Sequence, residues 1–87
     1  MTNIHQLEHL LALDEARHFA KAAQKVHLSQ PAFSRSIQSL EKQTGLLLFE
    51  RKSGEVRPTP DGQFQIQRAR ILVLEANSLK RYIGLYQ

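Results

Sequence analysis

The chain contains no cysteine in 87 residues. That excludes disulfides, thiolate metal centres and cysteine nucleophiles. Long apolar runs are missing as well: none approaches the roughly 20 residues needed to cross a bilayer, and the opening MTNIHQLEH has no signal-peptide character. The chain therefore reads as cytoplasmic, with no membrane partner. Its length fits one small domain with a modest core, for which oligomerisation is expected. Acidic residues are outnumbered, with 8 Asp and Glu against 12 Lys and Arg, a net charge of +4. The imbalance is local. Residues 1–16 carry Glu8, Asp14, Glu15 and no base, whereas residues 17–57 carry eight bases against three acids. A confined basic stretch is the footprint expected of phosphate contact.

That stretch contains FAKAAQKVHLSQPAFSRSIQSLE, from Phe19 to Glu41. It predicts two short helices joined around Val26–Ser29. Phe19, Ala22, Ala23 and Val26 recur at helical spacing and form one apolar face, while the small Ala22 and Ala23 permit a close helix crossing. Ser29 is a good N-cap for the second helix. Pro31 falls in its first turn, where a missing N–H is harmless, and Leu28 and Phe33 are placed as a hydrophobic staple. Phe33, Ile37 and Leu40 then run at i, i+4 and i+7 and face inward. Gln30, Pro31, Ser34, Arg35 and Gln38 face outward. Two helices of this form make a helix-turn-helix, whose second helix can enter the major groove. Gln suits adenine, Arg guanine and Ser either, and Pro31 offers an apolar surface to a thymine methyl. The alternative for these residues is a merely solvated helix face.

The other segments support that core. Residues 3–16 predict a first helix, capped by Asn3 or Thr2, with Ile4, Leu7, Leu10, Leu11 and Asp14 at helical spacing and Leu7 and Leu11 deepest. His5, Glu8 and His9 fit the H-x-x-E-H pattern of some zinc peptidases. No third ligand cluster follows it, so a solvated helix face is the expected reading, without metal or cofactor. Gly45 is placed as a C-cap. Leu46–Arg51 and Glu55–Pro58 predict two strands around Lys52-Ser53-Gly54, a basic hairpin able to press on DNA backbone or minor groove. In this register Leu47 points outward. Thr59-Pro60-Asp61-Gly62 opens a last helix expected to reach Tyr86, roughly 40 Å at helical rise. Ala69, Leu72, Ala76, Leu79, Ile83 and Tyr86 form a heptad-like seam, read as a dimer contact within residues 62–86.

Three stretches, AAQKVHLSQPAFSRSIQSLE, GLLLFER and VRPTPDG, occur in an order and spacing that resemble the N-terminal DNA-binding domain of LysR-type transcriptional regulators. The resemblance covers essentially the whole chain. It implies a mostly helical winged helix-turn-helix over residues 1–58 and a linker helix over 59–87 that pairs two subunits. It also implies a bacterial regulator that binds double-stranded operator DNA as a homodimer and allows a tetramer at full length. Its small-molecule effector would be held by a further domain, which these 87 residues do not reach; the sequence is thus read as a fragment. By matching position, Gln30, Pro31, Ser34 and Arg35 should meet bases. Ser29, Arg51, Lys52, Arg57 and Thr59 should meet phosphates or the minor groove. Many relatives carry bases where this chain has Ser36, Gln38 and Ser39, and a polar residue where it has Leu47. Backbone anchoring is therefore also assigned to Lys21, Lys25, Gln38 and Lys42.

The expectation is a sequence-specific DNA-binding domain without enzymatic chemistry, with recognition helix 30–44, wing 50–57 and no cofactor. The rival is a helical protein-interaction module whose basic charge is incidental.

Overall fold

A computed structural model describes residues 3–84. Local sequence signals account for most element boundaries. The first helix, α1 (Ile4–Ala16), is closed at its start by a capping box. The Asn3 side chain accepts from the Gln6 N–H at 3.0 Å, and Gln6 accepts from the Asn3 N–H at 3.2 Å. Arg17 ends it in the left-handed region, φ 54°. Helix α2 (Phe19–Lys25) is capped by His18, whose ring accepts from the Lys21 N–H at 3.2 Å. A turn through His27, also left-handed at φ 59°, leads to Ser29. The Ser29 hydroxyl accepts from the Ala32 N–H and opens α3 (Gln30–Thr44), which Gly45 terminates at φ 71°. The predicted start and span of this helix are thus those observed.

A two-stranded antiparallel hairpin follows, β1 (Phe49–Lys52) and β2 (Glu55–Pro58), then the long helix α4 (Pro60–Gly84). Lys52 pairs with Glu55, so the loop is only Ser53-Gly54, with φ of 55° and 78°. Two consecutive positive φ values match the turn whose twist suits a tight hairpin. The loop is one residue shorter than the Lys52-Ser53-Gly54 expected. β1 also begins three residues later than expected. Leu46, Leu47 and Leu48 do not join the ladder, because their polar groups bond elsewhere. Leu46 N–H donates to Thr44 Oγ1 (3.2 Å), Leu48 N–H to Glu41 Oε2 (2.7 Å), and Leu47 and Leu48 C=O accept from Thr59.

The core is one cluster contributed by every element. Leu10 and Leu13 of α1, Ala22 and Ala23 of α2, and Phe33, Ile37 and Leu40 of α3 form its helical part. Leu48, Phe49, Val56, Ile66 and Ala69 complete it from the hairpin side and α4. The deepest positions of α1 are therefore Leu10 and Leu13, not Leu7 and Leu11, which are half-buried. The reason is that α1 packs against α2, α3 and α4 together. Being enclosed on several sides moves its buried centre away from the most apolar stripe, and Ala12 is buried too. Asp14 lies on this inner side as an acceptor. It takes Arg17 Nη2 and Arg70 Nη2, each at 3.0 Å, so it links α1 to α4.

Helix α4 rests on the core through Gly62, Ile66 and Ala69. The molecule is elongated, with extents of 49 × 24 × 21 Å. Gly62 is dictated by contact: a Cβ there would overlap the Leu48 carbonyl oxygen, which is backbone and cannot move aside cheaply. Gly62→Ala is expected to destabilise the fold by about 2 kcal/mol or more, the scale of core overpacking. Gly84→Ala, with nothing within 4 Å of the added carbon, should not destabilise. Thermal melts of the two variants check this; equal midpoints would refute the packing account.

Candidate nucleic-acid interface

The outward side of α3 carries the residues singled out by sequence. Gln30, Pro31, Arg35 and Gln38 are exposed and Ser34 is half-buried. Their presentation follows from the Ser29 cap and the inward anchors Phe33, Ile37 and Leu40, which leave the opposite side of the helix facing solvent. Ser29 accepts through its oxygen, so its hydroxyl proton remains available to a phosphate. Arg35, Lys21 and Lys42 are exposed and, among the described residues, have no ion pair or hydrogen bond through their side chains.

Two clefts join α3 to the hairpin. In one, of about 200 Å³, Ser34 and Gln38 stand opposite Glu50 and Arg51 over a floor of Phe19, Ile37, Phe49 and Val56. In the other, Gln30 and Arg51 share walls with Gly54 at the hairpin tip. Arg35, Gln38 and Lys42 border a third, open surface along α3. Gln30, Ser34 and Arg35, assigned to bases, and Gln38, Lys42 and Arg51, assigned to backbone, thus line adjoining clefts on one side of the molecule.

The wing charges are not equally free. The pairing places Phe49, Arg51, Val56 and Pro58 on one side of the hairpin and Glu50, Lys52, Glu55 and Arg57 on the other. Arg51 lies over the Phe19 ring, 4.9 Å from its centroid, which ties the hairpin to α2 by a cation–π contact. Arg57 is held by Glu55 through two bonds of 2.7 and 2.9 Å. Lys52 is exposed and unpaired among the described residues. Lys25, assigned to phosphate, is engaged with Glu15 at 2.9 Å. Both ion pairs are solvent-exposed and so weak that a phosphate can replace the carboxylate.

Thr59 differs. Its hydroxyl donates to Leu47 O at 2.6 Å and accepts from Gly62 N–H at 3.0 Å. The one hydroxyl proton is committed to the fold, so donation to a phosphate would require that bond to break. Thr59 is thus a cap and a tether in this structure. The seam also needs a correction. Ala69 is buried within its own domain's core, because it faces the same way as Gly62 and Ile66. Ala76 is half-buried. Leu72, Leu79 and Ile83 are 50%, 59% and 46% exposed. Tyr86 lies outside the described residues.

Sequence reading missed Glu41, which binds the Leu48 and Phe49 N–H groups at 2.7 and 3.4 Å. The only available signal was an acid set beside the inward Ile37 and Leu40. The H-x-x-E-H residues are engaged locally. His5 Nδ1 lies 3.1 Å from Glu8, and His9 Nδ1 hydrogen-bonds with Ser36 Oγ at 2.6 Å while its ring packs on Phe33. Among the described residues, no three His, Cys, Asp or Glu side chains converge to hold a metal ion. No helix among them is long and apolar enough to cross a membrane.

A helix-turn-helix with an adjoining hairpin, presenting one polar and basic side, defines a winged helix-turn-helix DNA-binding domain. Residues 4–63 match the family model for the bacterial regulatory helix-turn-helix protein, lysR family, and the chain belongs to that family. The DNA-binding transcriptional dual regulator OxyR of Escherichia coli (strain K12) is 44% identical over 78 residues. Those residues are 90% of this chain and 26% of OxyR, so the chain spans about a quarter of that relative's length. Among solved structures, the BenM DNA-binding domain in complex with catB site 1 DNA superposes with a TM-score of 0.91 at 35% identity, covering 95% of this chain and 92% of that one. The CbnR DNA-binding domain in complex with DNA gives 0.83 at 33% identity, covering 99% and 100%. The expected fold class and family are therefore those found.

His9 offers a test of the contact behind α3. Burial, helped by neighbouring His5 and opposed by Glu8, pushes its imidazole below the ordinary value. A depressed imidazole means that the folded state favours the neutral ring. Its contribution is present above the unfolded-state value, near 6.5, and is lost as pH falls from there through the lower folded-state value. The melting temperature of the wild-type chain should therefore fall more between pH 7.5 and 5.5 than that of His9→Gln. Parallel pH profiles would contradict it.

Proposed function

We propose that this chain reads sequence in double-stranded DNA, with α3 in the major groove and residues 50–57 on the adjacent backbone or minor groove. Gln30, Pro31, Ser34 and Arg35 read bases. Ser29, Lys21, Gln38, Lys42, Lys52 and the wing arginines Arg51 and Arg57 position the duplex, with Lys25 a lesser contributor because Glu15 competes for it. The observation that carries this reading is Arg35: an exposed guanidinium on the outer face of a firmly capped helix, unpaired among the described residues, on a surface that shares Gln38 with the cleft between α3 and the hairpin. The DNA complexes of the related BenM and CbnR domains support it, and they weigh against a protein-interaction module with incidental charge. The function is regulatory binding, with no reaction catalysed by these residues.

The working unit in this reading is a homodimer joined through α4, with Leu72, Ala76, Leu79 and Ile83 as the seam. Three large apolar side chains about half exposed on one helix support that assignment. Two domains held by such a seam would engage two half-sites.

Replacing Arg35 by Ala should cost about 1–3 kcal/mol of discrimination at one base position. Replacing Lys52 by Ala should weaken specific and non-specific duplex alike and reduce the salt slope of log K by about 1. Binding titrations against matched and mismatched duplexes at several salt concentrations separate these roles; uniform loss in both variants would refute the assignment. For the seam, sedimentation should show self-association of the chain at high micromolar concentration, weakened by Leu79→Asp. A strict monomer, alone and on DNA, would refute the dimer.

A further inference from the structure

We infer that Glu41 is the positioning residue that sets the distance between the recognition helix and the wing. This rests on the reading of the hairpin as a DNA contact. Glu41 lies in the last turn of α3, and its carboxylate reaches the chain that leads into the hairpin. There Oε2 accepts from Leu48 N–H at 2.7 Å and Phe49 N–H at 3.4 Å. Phe49 is the first residue of β1 and pairs with Pro58, the last of β2. One carboxylate oxygen thus holds the root of the wing to the helix that would read bases.

Little else of a polar kind does so. Among the described residues, the remaining polar link from α3 to this segment is Leu46 N–H to Thr44 Oγ1 at 3.2 Å, which is two residues local and fixes only the helix exit. The other contacts run through the buried apolar side chains Ile37, Phe49 and Val56, which share one core cluster and line the 200 Å³ cleft together with the polar Ser34, Gln38, Glu50 and Arg51. Apolar packing resists separation but sets direction poorly. A charge-assisted bond to two consecutive amides sets both distance and direction. The same linker is gripped from its far side by Thr59, which bonds Leu47 O and Leu48 O. Without Glu41 the root of the wing would be bonded only to α4, with the Arg51–Phe19 contact left to steady the strand against α2, and the wing would lose its register with the major-groove contact.

The test is backbone footprinting of the 87-residue chain on a selected high-affinity duplex, with base preference measured in parallel. In the wild type, protection should extend beyond the α3 site to the backbone beside it, where the wing lies. Glu41→Ala should lose that flanking protection and bind roughly tenfold more weakly, the order of one hydrogen bond to a charged group. Its base preference at the Arg35 position should remain. Glu41→Asp, one methylene short, should show a milder loss of the same kind. Glu41→Gln, which keeps an acceptor at the same reach, should restore the flanking protection. Leu13→Ala, destabilising but remote from the linker, should leave it in place. Flanking protection retained in Glu41→Ala would overturn the inference alone. Its loss in Leu13→Ala as well would also overturn it, by tracing the effect to general instability. Absence of flanking protection in the wild type would overturn the wing contact, and this inference with it.

Discussion

Leu48 is where α3, the hairpin and the long helix are tied together, and the tie runs through its backbone. Its N–H bonds to Glu41 of α3, its C=O accepts from Thr59 N–H at the start of α4, and its side chain is fully buried. Gly62 completes the junction, since the first turn of α4 approaches the Leu48 carbonyl more closely than any side-chain carbon allows. A linker held on both sides cannot extend the ladder, which is why β1 begins at Phe49. The positions of the wing and of α4 relative to α3 both descend from this junction.

The outer surface is governed by a different balance. Only some of its cations are engaged: Lys25 is met by Glu15, Arg57 by Glu55, and Arg51 is laid over Phe19. Arg35, Lys21, Lys42 and Lys52 remain without partners among the described residues. Sequence counting makes residues 17–57 strongly basic, but the arrangement moderates the charge actually offered to a polyanion.

Helix α4 divides its work by face. Gly62, Ile66 and Ala69 close the core, and Asp14 adds an ion pair from α1 to Arg70 at 3.0 Å. Beyond that first half, Leu72, Leu79 and Ile83 stand half exposed. A domain with this core cannot cover a helix of 25 residues along its whole length. The heptad-like pattern therefore held two different things, a core stripe that captures Ala69 and an exposed apolar stripe that begins at Leu72.

What the sequence by itself determined is mostly local. The caps at Asn3 and Ser29, the glycine stop at Gly45, the inward run Phe33–Ile37–Leu40 and the order of elements were legible, because these interactions span four residues or fewer. The outward placement of Gln30, Pro31, Arg35 and Gln38 follows from the same periodicity. The tertiary structure decided which polar side chains are free and which are committed. Glu41 meets an amide seven residues away, Thr59 a carbonyl twelve away and Asp14 a guanidinium fifty-six away. It also decided that Leu10 and Leu13, rather than Leu7 and Leu11, lie deepest in α1. Periodicity specifies the apolar side of a helix, but burial depends on how many neighbours enclose it, and that is fixed only when α2, α3 and α4 close around α1.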